Sequence, residues 1–145
     1  MGQATMRAMP RARRYLGLEG GTYMWRYEQS TGRLTSPWGS PFGKGYSGNG
    51  DGVNNSKMEA VHNVGPIPRG RYSIGDAQTV QGRGDFVMAL TPCDETNTFG
   101  RGGFLIHGDL IAEPGKENAS HGCIILNRLT RTALAASSDR ELEVY

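Results

Sequence analysis

No apolar run in the 145 residues approaches the length of a membrane span. Only two cysteines occur, Cys93 and Cys123, which permits one disulfide and requires none; a pair this sparse is no disulfide framework. Cys-x-x-Cys and His-Glu-x-x-His are both missing, so the usual zinc spacings are absent. No Gly-Lys-Ser/Thr follows a strand-like segment, which removes a phosphate-cradling loop. Asn49, Asp51, Asn54 and Asn55 lack the spacing and closing glutamate of an EF-hand loop. There are no internal repeats and little helical periodicity.

Charge of one sign is scarce too. The formal net charge is +2, yet Arg7, Arg11, Arg13 and Arg14 all precede the first acid, Glu19. Beyond those four, 12 basic residues face 14 acidic ones, so the body of the chain is no polyanion binder. Residues 1–21 read as a loose basic arm, and 22–145 as one domain with a real core. No apolar segment follows the early arginines, so no cleavable signal peptide is expected.

Glycine is what the chain has in plenty, 22 of it, with seven prolines. That favours short strands joined by turns. Thr22–Glu28 alternates with period two, Ser30-Thr31-Gly32 turns the chain, and 33–36 returns, a hairpin. Gly39–Asn55 reads as a mobile surface loop near a cleft. Ser56–Val61 reads as a helical turn with Met58 and Val61 inward, and His62 as structural or solvated. Arg71–Ile74 is a strand, 75–84 a polar loop, and Phe86–Leu90 a core strand. After Leu126 the period changes. Leu126, Leu129, Ala133 and Leu134 share a helical face, with Asn127 as N-cap. Glu141–Tyr145 alternates again as a closing strand.

The chemistry concentrates between Gly103 and Leu126. Phe104-Leu105-Ile106 is an apolar strand ending at His107-Gly108. A polar loop leads to Ser120-His121-Gly122-Cys123, which runs into Ile124-Ile125-Leu126. Pairing of these two strands brings His107 toward Cys123. A thiol needs a base to become the nucleophilic thiolate. Gly122 allows a sharp turn before the thiol and leaves the amides of His121, Gly122 and Cys123 to form an oxyanion hole. Gly108 or Asp109 would orient the imidazole. Two other readings stand beside this one: zinc held by His107, His121, Cys123 and Asp109, and a buried cysteine with incidental histidines. A standing thiolate would label with a thiol probe at lower pH than Cys93.

The pattern His107-Gly108, loop, Ser120-His121-Gly122-Cys123-Ile124 resembles the signature of YkuD-type L,D-transpeptidase catalytic domains. Pro68-Arg69-Gly70-Arg71-Tyr72 resembles the turn that precedes it in that family. The chain is most similar to the small L,D-transpeptidase-related effectors of type VI secretion. Those matches are Trp25-x-Tyr27-Glu28-Gln29-Ser30-Thr31-Gly32, Gly45-Tyr46-Ser47-Gly48, Asn63–Gly70 and Asp139–Val144. The resemblance spans Met24–Tyr145.

It implies a mainly β fold, a compact β-sandwich or partly open barrel with one short helix near the C-terminus. It implies Cys123 as nucleophile and His107 as base, with support from Ser120, His121, Gly122, Gly108 and Asp109, and no cofactor or metal. Tyr46, Ser47 and Arg128 are candidate substrate contacts. Ile125 stands where the larger family has Arg or Asn, which makes Arg128 the candidate to take over that role. The loop between His107 and Ser120 is shorter than in housekeeping transpeptidases.

The implied substrate is the peptidoglycan stem peptide, acted on by L,D-carboxypeptidase or amino-acid-exchange chemistry. The implied setting is an antibacterial toxin, secreted without a cleavable signal and acting in a rival's periplasm. Its partners would be the type VI secretion machinery and a cognate immunity protein. The alternatives are a housekeeping or phage L,D-transpeptidase that makes crosslinks, and a non-catalytic peptidoglycan-binding module.

Overall fold

The period-two aromatic segment near the start forms the hairpin its alternation predicts. β1 (Trp25–Tyr27) buries Trp25 and Tyr27 and exposes Arg26, and β2 (Arg33–Thr35) pairs with it antiparallel. The structure is a computed structural model that describes residues 23–109, 117 and 119–145. The expected basic arm, 1–21, lies outside the described residues, as does most of the loop between His107 and Ser120.

The remaining elements are β3 (Pro41–Lys44), β4 (Tyr46–Ser47), β5 (Gly70–Ile74), β6 (Gln78–Val80), β7 (Gly84–Pro92), β8 (Leu105–His107), β9 (Ile124–Ile125), α1 (Arg128–Ala136) and β10 (Glu141–Val144). Among the described residues ten strands form one sheet in the order β3-β2-β1-β10-β5-β7-β8-β9-β4, with β6 paired to β7 alone. The mainly β fold is as expected, and the described residues hold one short α-helix, near the C-terminus. The fold is a single curved sheet, not closed into a barrel. β3 and β4 lie at opposite ends of the strand path, yet one residue, Gly45, separates them. The sheet therefore curls until its two edges nearly meet. Gly45 is required there because a Cβ would overlap the Ile125 carbonyl oxygen.

The core lies inside this curl. Tyr27, Leu34, Ile67, Tyr72, Met88, Ile106, Ile124, Leu126, Leu134 and Leu142 are all fully or almost fully buried. Each such apolar side chain contributes roughly 1.5–3 kcal/mol through removal from water. Four sequence expectations are corrected. Gly39–Asn55 is no mobile loop: it contains β3, β4 and a 3-10 turn, Gly50–Gly52. The polar segment 75–84 contributes β6, which forms a hairpin with β7. Of the residues expected inward on the helical turn, whose 3-10 core is Ser56–Met58, Val61 is exposed. Leu129 also points out, 84% exposed, and the inward residues of α1 are Thr130, Arg131 and Leu134. Leu126 belongs to the strand side of the boundary, so the expected helical face was drawn out of phase. The Asn127 cap holds: its Oδ1 accepts from the Thr130 amide at 2.8 Å.

Candidate functional site: a cysteine and a histidine on one face of the sheet

β8 and β9 pair in parallel, with Ile106 opposite Ile124 and His107 opposite Ile125. Side chains two apart on a strand share a face, so Cys123 lies on the face of Ile125 and His107, one pleat from the imidazole. Cys123 packs with Tyr46 and Ile125 in a small cluster separate from the main core. Among the described residues Cys123 and Cys93 are both free thiols.

His107 is buried, and its ring is oriented by the chain itself. Nδ1 lies 2.8 Å from the Gly108 carbonyl oxygen, which can only accept, so Nδ1 carries the proton. Nε2 is then the basic nitrogen; it is buried and has no hydrogen-bond partner. Burial is the main force holding the histidine pKa below its usual 6.5, opposed by the Gly108 hydrogen bond and reinforced by the charges of Arg83 and Arg131. Of the two orienting groups the sequence offers, the carbonyl is used. The Asp109 carboxylate instead accepts from the Tyr46 hydroxyl at 2.7 Å.

Burial raises the pKa of the Cys123 thiol, while the Leu105 amide and the charges of Arg83 and Arg101 ease that rise. Sγ points toward the Gly103 carbonyl at 3.9 Å. This is the opposite of a standing thiolate, so early labelling relative to Cys93 does not follow from the structure. Burial thus favours the neutral form of both the thiol and the imidazole.

Ser120 organises the turn before Cys123. Its buried hydroxyl donates to the Cys123 carbonyl at 2.6 Å and accepts from the amides of Gly48 and Gly122 at 2.9 and 3.0 Å. The Gly122 amide is therefore already occupied, which takes it out of the expected three-amide oxyanion hole. Gly122 itself has a φ of +132°, and a Cβ there would come within 2.5 Å of Arg101 Nη2. The His121 side chain is exposed. Ser47 is buried, accepts from the Ile67 amide at 2.8 Å and donates to the Gly122 carbonyl at 3.2 Å. Tyr46 accepts from the Ala119 amide at 3.1 Å. Both thus brace the turn from beneath. Arg128 is exposed and gives its guanidinium to Asp85, at 3.1 and 2.8 Å.

Three positioning residues escaped the sequence reading. Arg101 is buried and donates to the carbonyls of Pro66 at 2.7 Å, Gly65 at 2.9 Å and His121 at 3.3 Å, tying the proline turn to the cysteine turn. Asn49 Nδ2 donates to the carbonyls of Ser120 and Asn63 at 2.8 and 2.7 Å. Arg131 Nε donates to the Leu126 carbonyl at 3.0 Å, and Nη1 to that of Asp85. An arginine or asparagine whose partners are main-chain carbonyls leaves no spacing in sequence. His62, read as structural or solvated, is exposed with Nε2 3.3 Å from the Phe99 carbonyl. Among the described residues no group of three or more His, Cys, Asp or Glu side chains is placed to hold a metal ion.

Fold and site together define a class: a mainly β protein whose curled sheet sets a cysteine and an oriented histidine on one face of two adjacent strands. The particular family follows from comparison with known sequences. The profile of the Tlde1 domain matches residues 43–143, and the chain belongs to that type VI secretion effector family. No curated protein matches the chain in sequence.

Proposed function

We propose that this protein is a cysteine-dependent editing enzyme of peptidoglycan stem peptides, acting as an antibacterial effector in the periplasm of a rival cell. The observation that carries the reading is His107. An imidazole with Nδ1 fixed on a main-chain carbonyl and a buried, unpartnered Nε2 is oriented as a base toward the face that holds Cys123. Membership of a type VI effector family supports the setting, including export by that machinery and a cognate immunity protein in the producer.

In the reaction, Sγ attacks the carbonyl carbon at the L-centre of the stem peptide's meso-diaminopimelate, which carries the terminal D-alanine, as its proton passes to Nε2. No hydrogen bond joins Sγ to the imidazole in the resting state, and catalytic hydrogen bonds commonly tighten only with substrate in place. The developing oxyanion is met by the amides of His121 and Cys123. The C–N bond breaks, and Nε2 returns the proton to the leaving D-alanine amine. Water, deprotonated by the same nitrogen, hydrolyses the thioester and restores the thiol. An incoming D-amino acid gives exchange instead.

Mass spectrometry of disaccharide-tetrapeptide, with and without an added D-amino acid, tests this against Cys123→Ala. Loss or replacement of the terminal D-alanine by the wild type alone is expected. An unchanged tetrapeptide with the wild type refutes the chemistry. Unaffected growth of a susceptible host carrying the enzyme in its periplasm refutes the toxin role.

A further inference from the structure

Four arginines surround the site, and three are spent on the protein itself. Arg101 and Arg131 are buried on main-chain carbonyls, and Arg128 is paired with Asp85. The fourth, Arg83, stands at the tip of the β6–β7 hairpin between Gly82 and Gly84, whose φ values are +82° and +94°. It is exposed, and among the described residues it forms no ion pair.

The hairpin tip is held against the site. Arg131 donates to the carbonyl of Asp85, two residues beyond Arg83, and also presses on Gly108, where a Cβ would lie 2.8 Å from its Nη2. One guanidinium thus spans the base of the tip and the residue next to His107. β7 continues from the tip to pair with β8, Met88 opposite Ile106. Arg83 alone is among the charges that act on both His107 and Cys123; Arg131 acts on the first and Arg101 on the second. Asp109, a described carboxylate next to Gly108, accepts from Tyr46.

We propose that Arg83 is the anchor for a substrate carboxylate, pairing with the free α-carboxylate of the leaving residue. The assignment rests on the peptidase reading above. His107 must protonate the leaving nitrogen, so the leaving residue lies on the His107 side. Its α-carboxylate is one carbon from that nitrogen, on the side where the β6–β7 tip is tied through Arg131 to Gly108, next to His107. A bond in the interior of a linear peptide presents a neutral amide there and leaves the arginine unpaired. The site therefore favours the last bond of a chain, whose product is a free amino acid.

Two measurements on the intact protein test this. The first needs no peptide: alkylation of Cys123 by anionic iodoacetate and by neutral iodoacetamide, with Cys93 as internal reference. Arg83→Gln should lower the iodoacetate-to-iodoacetamide ratio at Cys123 by about threefold or more, through lost attraction of the anion. Arg83→Lys should keep most of it, and Cys93 should not change. An unchanged ratio in Arg83→Gln overturns the anion subsite. The second compares kcat/KM for a tetrapeptide with a free C-terminus and for its C-terminal amide. The wild type should prefer the acid by about tenfold, as expected when an ionic partner is missing from one substrate, and Arg83→Gln should bring the two together. A preference that survives in Arg83→Gln, or is absent from the wild type, overturns the carboxylate assignment. Cleavage of neither peptide removes the peptidase reading, while the alkylation ratio still decides the subsite.

Discussion

At the scale of single residues, the site runs on two depressed tendencies to ionise. His107 resists taking a proton and Cys123 resists losing one, each mainly because burial disfavours charge. Activity that depends on a neutral Nε2 should therefore persist below pH 6.5, and the acid limb of kcat/KM should fall below that value. A limb at or above 6.5 would sink the assignment of His107 as a buried base. The same group links to folding. The unfolded chain binds a proton near pH 6.5 while the folded one does not. Its contribution is thus fully present above that pH and is lost as pH falls toward the folded value. Cys123 and His107 were legible because the motif places each at the end of an apolar strand. Arg101, Arg131 and Asn49 were not, because their partners are main-chain carbonyls at separations from 5 to 71 residues, and a carbonyl has no sequence. Ser47 and Tyr46 were legible as part of the site but not as its underlay, since burial depends on what folds over them.

Elements were read well where side chains alternate and poorly where glycine carries the pattern. The β1–β2 hairpin, β5, β7, the β8–β9 pair and β10 all follow from period two or from apolar runs. β3 and β4 were missed because glycine suggests a turn, whereas here it allows close approach: a Cβ on Gly43 would come to 2.8 Å from the Thr130 hydroxyl. The helix was found but rotated. Leu129, 84% exposed, should accept Glu at a cost below about 0.5 kcal/mol, as exposed sites do. Leu134→Ala should cost about 2–5 kcal/mol through the cavity it leaves. Urea denaturation of both variants checks the phase of the helix; comparable losses would contradict it.

For the whole molecule, the decisive place is the seam where the sheet's edges approach. β3 leaves one edge and β4 joins the other through Gly45, whose amide donates to the Gly32 carbonyl at 2.8 Å. Gly45→Ala sets a methyl group into the Ile125 carbonyl and should cost about 3 kcal/mol or more, the scale of severe overpacking. Because Ile125 lies opposite His107, reactivity of Cys123 should change along with the fold. Thermal unfolding measures the first effect and alkylation rate the second; a variant as stable as the wild type would show that the seam can open without consequence.

The pairing of β1 with β10 joins the first described strand to the last, with Trp25 opposite Leu142 and Tyr27 opposite Val144. This is a matter of timing as much as of shape. During synthesis the opening hairpin waits, one edge uncovered, until Val144 has left the ribosome, and β5 waits for the same strand. Contacts this distant along the chain are slow to form. His107 on β8 lies two strands beyond β5 and Cys123, just before β9, three beyond, so the nascent chain carries the parts of the proposed site well before that assembly is complete.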